Sequence, residues 1–127
     1  AAATVADNAV CFGTTGGVMR CVDRETAKPL WSYTARSEIL SSPAVDSGRL
    51  YFSSADDRLH ALDLETGEAL WSYARPAYST VSPRLLSSPA LSGGRLYHLF
   101  SDGTLVCLDA EKGREIWSKK PDGGLAD

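Results

Sequence analysis

Basic clusters are missing from this chain of 127 residues: its 13 Lys and Arg are scattered among 16 Asp and Glu, and Lys119-Lys120 is the one adjacent pair. Phosphate backbones are held by a concentrated basic face, so nucleic acid is not expected as a partner. No apolar run approaches the roughly 20 residues of a membrane span, and no basic-then-apolar leader stands at the start. The chain begins at Ala1 without a methionine, which reads as a mature form or an excised fragment. Cysteine is scarce. Cys11, Cys21 and Cys107 lie too far apart in sequence to offer the close paired ligands of a zinc site, so no metal is expected and the three read as small buried hydrophobes. Gly-x-Ser-x-Gly and phosphate-loop patterns are absent, and the two histidines, His60 and His98, fall inside strand-like segments. No catalytic, cofactor-binding or metal-binding residue is therefore assigned, and the chain is read as non-enzymatic. Helical periodicity is also lacking throughout.

What is present is self-similarity. Tryptophans at 31, 71 and 117 each close a similar phrase, and residues 1–31, 41–71 and 87–117 align without gaps. The second and third phrases agree at 15 of 31 positions, and the first agrees with the second at seven, including Asp23, Glu25, Thr26, Leu30 and Trp31. Each phrase holds four short strand candidates separated by turn residues. In the second these are Ser42–Val45, Arg49–Ser53, Leu59–Leu62 and Ala69–Tyr73, with turns at Ser47-Gly48, Asp56-Asp57 and Glu65-Thr66-Gly67. In the third, Asp102-Gly103 suits a two-residue turn with positive φ. Four strands in each repeat of 40 to 46 residues is β-propeller spacing. The expected fold is all-β, with three four-stranded antiparallel blades over residues 1–40, 41–86 and 87–127. Residues 1–127 as a whole read as part of a larger or oligomer-closed propeller.

The phrase Ala61-Leu-Asp-Leu-Glu-Thr-Gly-Glu-Ala-Leu-Trp71 fits the pattern Ala-x-Asp-x-x-Thr-Gly-x-x-x-Trp, and 21–31 and 107–117 follow it. This resembles the tryptophan-docking motif of PQQ-type propellers, and the resemblance covers nearly the whole chain. Its chemistry is structural. Asp63 precedes a tight turn whose N–H groups its carboxylate can accept, and Gly67 supplies the left-handed conformation. Ala61 is small because blades meet there, and Trp71 packs, as the resemblance implies, on the neighbouring blade's motif. Asp23, Trp31, Thr66, Asp109, Gly113 and Trp117 are the matching positions in this and the other repeats. The departures are Ala27 and Pro29 in the first repeat and Lys112 for Thr in the third.

Between the second and third repeats the spacing grows by six residues, and the inserted segment 75–86 is proline-bearing yet apolar. Leading into Ser87-Ser88-Pro89, it looks like a loop of the BamB family of outer-membrane assembly lipoproteins. There an apolar-Ser-apolar-Arg stretch contacts the barrel-inserting partner. Val81, Ser82, Pro83 and Arg84 take those positions, with Pro83 in place of leucine, and Tyr78, Val81, Arg84, Leu85 and Leu86 are the candidate partner-binding residues. The alternative reading is that Leu85 and Leu86 are buried in their own chain. The resemblance implies a protein-binding scaffold in the periplasm or another extracytoplasmic compartment, with association to the outer membrane as the family's setting. Ring closure would come from self-association or from further blades. Two alternatives stay open: a fragment of a PQQ-dependent dehydrogenase, whose family adds an adjacent Cys-Cys pair and a Ca²⁺ site, and a sensor propeller attached to another module. No Cys-Cys pair occurs here.

One expectation concerns register. A two-residue turn at Gly16-Gly17 would set Cys21 opposite Phe12 and Cys11 opposite Val22. The two thiols would then point to opposite faces, with no bond between them and all three thiols, Cys107 included, expected free.

Overall fold

The computed structural model describes residues 3–39, 41–74, 88–100 and 102–120. Twelve strands form three four-stranded antiparallel sheets, each a meander in chain order. Sheet 1 holds β1 Thr4–Ala6, β2 Ala9–Gly13, β3 Val18–Asp23 and β4 Pro29–Thr34. Sheet 2 holds β5 Ala44–Asp46, β6 Arg49–Ser54, β7 Arg58–Asp63 and β8 Ala69–Ala74, and sheet 3 holds β9 Ala90–Ser92, β10 Arg95–Leu99, β11 Leu105–Asp109 and β12 Glu115–Lys119. The first strand of the second repeat starts at Ala44 rather than Ser42, because Pro43 has no N–H to give to a ladder. Ser47 (φ 53) and Gly48 (φ 76) make the two-residue turn between β5 and β6.

The sheets stand face to face, with the short first strands adjacent: β1 lies against β5 and β5 against β9. Thr4 Oγ1 donates to the Pro43 carbonyl at 2.7 Å, and the Ser42 N–H donates to Ser88 Oγ at 3.1 Å. Because side chains alternate along a strand, sheet 2 serves two cores. Leu50 and Phe52 of β6 and Leu62 of β7 face sheet 1, joining Cys11, Met19, Cys21 and Ile39. Tyr51, Leu59 and Ala61 face sheet 3, joining Leu96, Phe100, Val106 and Leu108. Hence β6 and β7 are buried almost without interruption, while β2 alternates and β12 is exposed along its length.

In all three sheets the third and fourth strands slip register at the same place, after Cys21, Ala61 and Cys107. Cys21 opposes Trp31 and Val22 opposes Pro29, so Leu30 is the extra residue of a β-bulge. Leu70 and Ile116 are its counterparts, and these three stand among the exposed large hydrophobics.

The register expected from Gly16-Gly17 is corrected. Three residues, not two, separate the hydrogen-bonded pair: Thr14 N–H donates to the Val18 carbonyl at 2.9 Å and Gly17 N–H to the Thr14 carbonyl at 3.1 Å. The Val18 N–H is taken by Thr14 Oγ1 at 3.1 Å. Only Gly17 (φ 86) is left-handed, as in a type I turn followed by one αL residue. The extra residue moves the register by one, so Cys11 faces Cys21 and Phe12 faces Arg20. Asp102-Gly103 is likewise not a two-residue turn: Phe100 pairs with Thr104, and Gly103 (φ 88) is the left-handed residue among those described there.

Candidate functional site

Each repeat's Asp builds the same turn. Asp63 Oδ1 accepts the N–H groups of Glu65 (2.8 Å) and Thr66 (3.1 Å), and Gly67 N–H donates to the Asp63 carbonyl at 2.8 Å. Asp23 repeats this with Glu25 and Thr26, both at 2.9 Å, and Asp109 with Glu111 at 3.0 Å. The N–H bonds from Thr26 and Glu25 hold the Asp23 carboxyl below its ordinary value. Thr66 Oγ1 accepts the Glu68 N–H at 3.2 Å, a bond that Lys112 cannot supply in sheet 3.

The turns are where the sheets meet. Trp31 lies over Gly67 and Trp71 over Gly113, so near that a β-carbon on either glycine would come within 2.6 Å and 2.4 Å of the ring atoms. The indole N–H groups donate to main-chain carbonyls in the same turns, Trp31 to Leu64 at 2.8 Å and Trp71 to Ala110 at 3.0 Å. Tyr51 Oη also donates to the Ala110 carbonyl at 3.0 Å. Glycine is therefore required twice over at 67 and 113, by φ values of 77 and 72 and by the ring above. Trp117 has no such seat among the described residues; it packs only on Tyr97 of its own sheet and stays 38% exposed. The matching seat on sheet 1 is Ala27, in the same turn with φ 62, where a methyl group stands in the space a ring would occupy.

Exchanging Gly113 for alanine is expected to destabilise the chain by roughly 3 kcal/mol, through the strained φ and the displaced indole. In a chain already carrying Trp71→Ala the same exchange should cost only about 1 kcal/mol, since Ala27 tolerates that φ. Denaturant melts of the double-mutant cycle measure the difference.

Between sheets 1 and 2 a cleft of about 650 Å³ opens at the turn end, with Asp7, Asp23, Asp63 and Glu65 at its wall. Asp23 and Asp63 already accept their own turn N–H groups there. Among the described residues no three His, Cys, Asp or Glu side chains gather as a metal site would need.

At the opposite strand ends lies a polar group that sequence reading missed. His60 Nε2 is 2.9 Å from Ser54 Oγ, and Nδ1 is 3.4 Å from the Tyr33 hydroxyl. The Ser54 hydroxyl donates to Asp56 Oδ1 at 2.5 Å. One chain of donors satisfies all three: Tyr33 O–H to Nδ1, Nε2–H to Ser54, and Ser54 O–H to Asp56. The imidazole also stacks on Phe52, with centroids 4.6 Å apart, and burial pushes its pKa down to about 4. Although Ser, His and Asp meet here, Asp56 holds the serine rather than orienting the imidazole, and Ser54 is fully buried. The arrangement offers no accessible nucleophile.

The candidate partner-binding residues Tyr78, Val81, Arg84, Leu85 and Leu86 lie outside the described residues.

The family model described as "Outer membrane protein assembly factor BamB" matches residues 1–124. No curated protein matches the chain. Among solved structures, BamB from Moraxella catarrhalis superimposes with a TM-score of 0.75 at 20% identity over 89% of this chain and 33% of its own. A europium-containing methanol dehydrogenase gives 0.81 at 15% identity, covering 95% of this chain and 24% of that one. Quinohemoprotein alcohol dehydrogenase from Comamonas testosteroni gives 0.77 at 19%, covering 92% and 20%. The shared fold is the PQQ-like propeller, of which the three sheets are blades, and this chain spans a third or less of each of those structures.

Proposed function

Because the chain belongs to the family of the outer membrane protein assembly factor BamB, we propose that it is a non-catalytic protein-binding scaffold acting in outer-membrane protein assembly, in the periplasm and associated with the outer membrane. The family match over residues 1–124 carries this reading. The segment 75–86 supports it, since it places aromatic, apolar and Arg side chains of the kind that dominate binding hot spots between two otherwise regular repeats. The partner is the barrel-inserting component of the assembly machinery, contacted through Tyr78, Val81, Arg84, Leu85 and Leu86. Repeated Trp-over-Gly contacts act as docking joints, and the exposed Trp117 face receives a further blade. A piece of a PQQ dehydrogenase is the second reading, supported by the fold match to the methanol dehydrogenase.

Replacing Arg84 with Glu is expected to weaken binding to the purified barrel-inserting component about a hundredfold or more, as charge reversal at a desolvated contact does. The melting temperature should stay within about 1 °C, since on this reading Arg84 meets the partner and not its own chain's core. Unchanged affinity by calorimetry would remove this loop from the interface. A lowered melting temperature on truncating Leu85 or Leu86 would place it in the chain's own core.

A further inference from the structure

Sheet 1 departs from its neighbours in one cross-strand pair. Sheets 2 and 3 set a tyrosine opposite the small motif residue, Tyr51 against Ala61 and Tyr97 against Cys107, where sheet 1 sets Cys11 against Cys21. Both cysteines are fully buried, and their sulfurs lie 2.9 Å apart with the Cys11 thiol donating. The ladder shows what kind of pair this is. Thr14 and Val18 are joined by a main-chain hydrogen bond, and so are Asn8 and Arg24 at the other end. Bonded and non-bonded pairs alternate in an antiparallel ladder, so Phe12–Arg20 and Val10–Val22 are bonded pairs and Cys11–Cys21 is a non-bonded one. In such pairs the Cα atoms approach to about 4.5 Å and the side chains are closest. That falls within the span of about 4.4–6.8 Å that a disulfide bridges.

We propose that Cys11 and Cys21 are an oxidation site, converted to a cross-strand disulfide by exchange with a small-molecule disulfide of the oxidised-glutathione type. One sulfur attacks the reagent, breaking its S–S bond and releasing a thiol; the second sulfur then displaces the other half. Two protons and two electrons leave the cysteines, one S–S bond forms between Cys11 and Cys21, and two reagent thiols result. The bond braces β2 to β3 in the sheet that lacks the Tyr51-type link to its neighbour's turn. Burial raises both thiols above their ordinary pKa, so the folded dithiol reacts slowly and the exchange takes place while the hairpin is open during folding. Cys107, opposite Tyr97, is left as a single thiol. The inference stands apart from the functional reading above; an extracytoplasmic compartment would only supply the oxidant.

The test is to refold the reduced chain from denaturant with oxidised glutathione, then measure intact mass and count thiols by alkylation in denaturant. The expected product is about 2 Da lighter, the two hydrogens lost per disulfide, and alkylates once rather than at all three cysteines. Its melting temperature should exceed that of the reduced chain by roughly 5 °C. Cys107→Ala should keep the mass change and the shift. Cys21→Ala, which restores the residue found at position 61, should abolish both. Three alkylatable cysteines after refolding, or a bond mapped to Cys107, would overturn the proposal. Peptide mapping of the unmutated chain decides the matter even where a variant does not fold.

Discussion

Truncating Trp71 to alanine is expected to lower the unfolding free energy by about 3 kcal/mol, near the bottom of the range for removing a large aromatic side chain from a core. The ring is half-buried rather than sealed, which places it there, but it fills the space above Gly113, packs on Tyr51 and donates to the Ala110 carbonyl. The same truncation at Trp117, identical in motif position, should cost under about 1 kcal/mol, because among the described residues its ring meets Tyr97 of its own sheet and no neighbouring turn, and it is exposed. Paired urea titrations measure the contrast. Equal losses at the two positions would mean that the ring stabilises its own sheet and that the seat in the neighbouring turn contributes nothing.

Acid should act through the two histidines. His60 and His98 are nearly inaccessible, and burial lowers each from 6.5 to about 4. His98 is the plainer case, since its Nδ1 finds no hydrogen-bond partner among the described residues. A depressed imidazole pKa means that the unfolded chain takes up protons before the folded one does. Stability is therefore independent of these groups above pH 6.5, falls as pH drops from 6.5 to 4, and loses no more to them below that. The slope is at most about 1.4 kcal/mol per pH unit per histidine, which over this window sums to roughly 3 kcal/mol each. Set against a typical domain stability of about 5–15 kcal/mol, the loss is large. Denaturant midpoints between pH 4 and 7.5 should show it. His98→Leu should flatten the profile by about half and leave stability at pH 7 equal or higher, because it removes a buried polar atom that no described residue satisfies. A profile as steep as the parent's would show that His98 is protonated inside the fold.

The fold was legible because it is written three times: the repeat set the number of strands, and the Asp-to-Gly phrase marked the turn between the last two strands of each sheet. The hairpin registers were not legible. At Gly16-Gly17 the two glycines suggest a tight two-residue turn, yet the Thr14 hydroxyl takes the Val18 N–H and lengthens the loop by one. A local side-chain bond of that kind leaves no trace in periodicity, and it reversed the expected facing of Cys11 and Cys21. The His60 group escaped for another reason. Tyr33 lies 27 residues away on a different sheet, so nothing local joins the two. A serine and an aspartate near a strand histidine were the only signal, and they are common around turns. The carbonyls of Leu64 and Ala110 that receive the indoles were also missed, because any residue type can present a carbonyl.

Ala27 gives the assembly a direction. A chain of identical joints, each offering a ring at one end and a glycine seat at the other, could add copies head to tail without limit, as heterologous contacts that fail to close do. Here sheet 3 carries Trp117, but in sheet 1 the Ala27 methyl occupies the seat. A second copy approaching in the orientation that the two internal seams repeat would meet that methyl where its indole should lie. One methyl group thus makes the sheet 1 turn a poor seat for an indole, whereas a blade with glycine at the turn suits the Trp117 face.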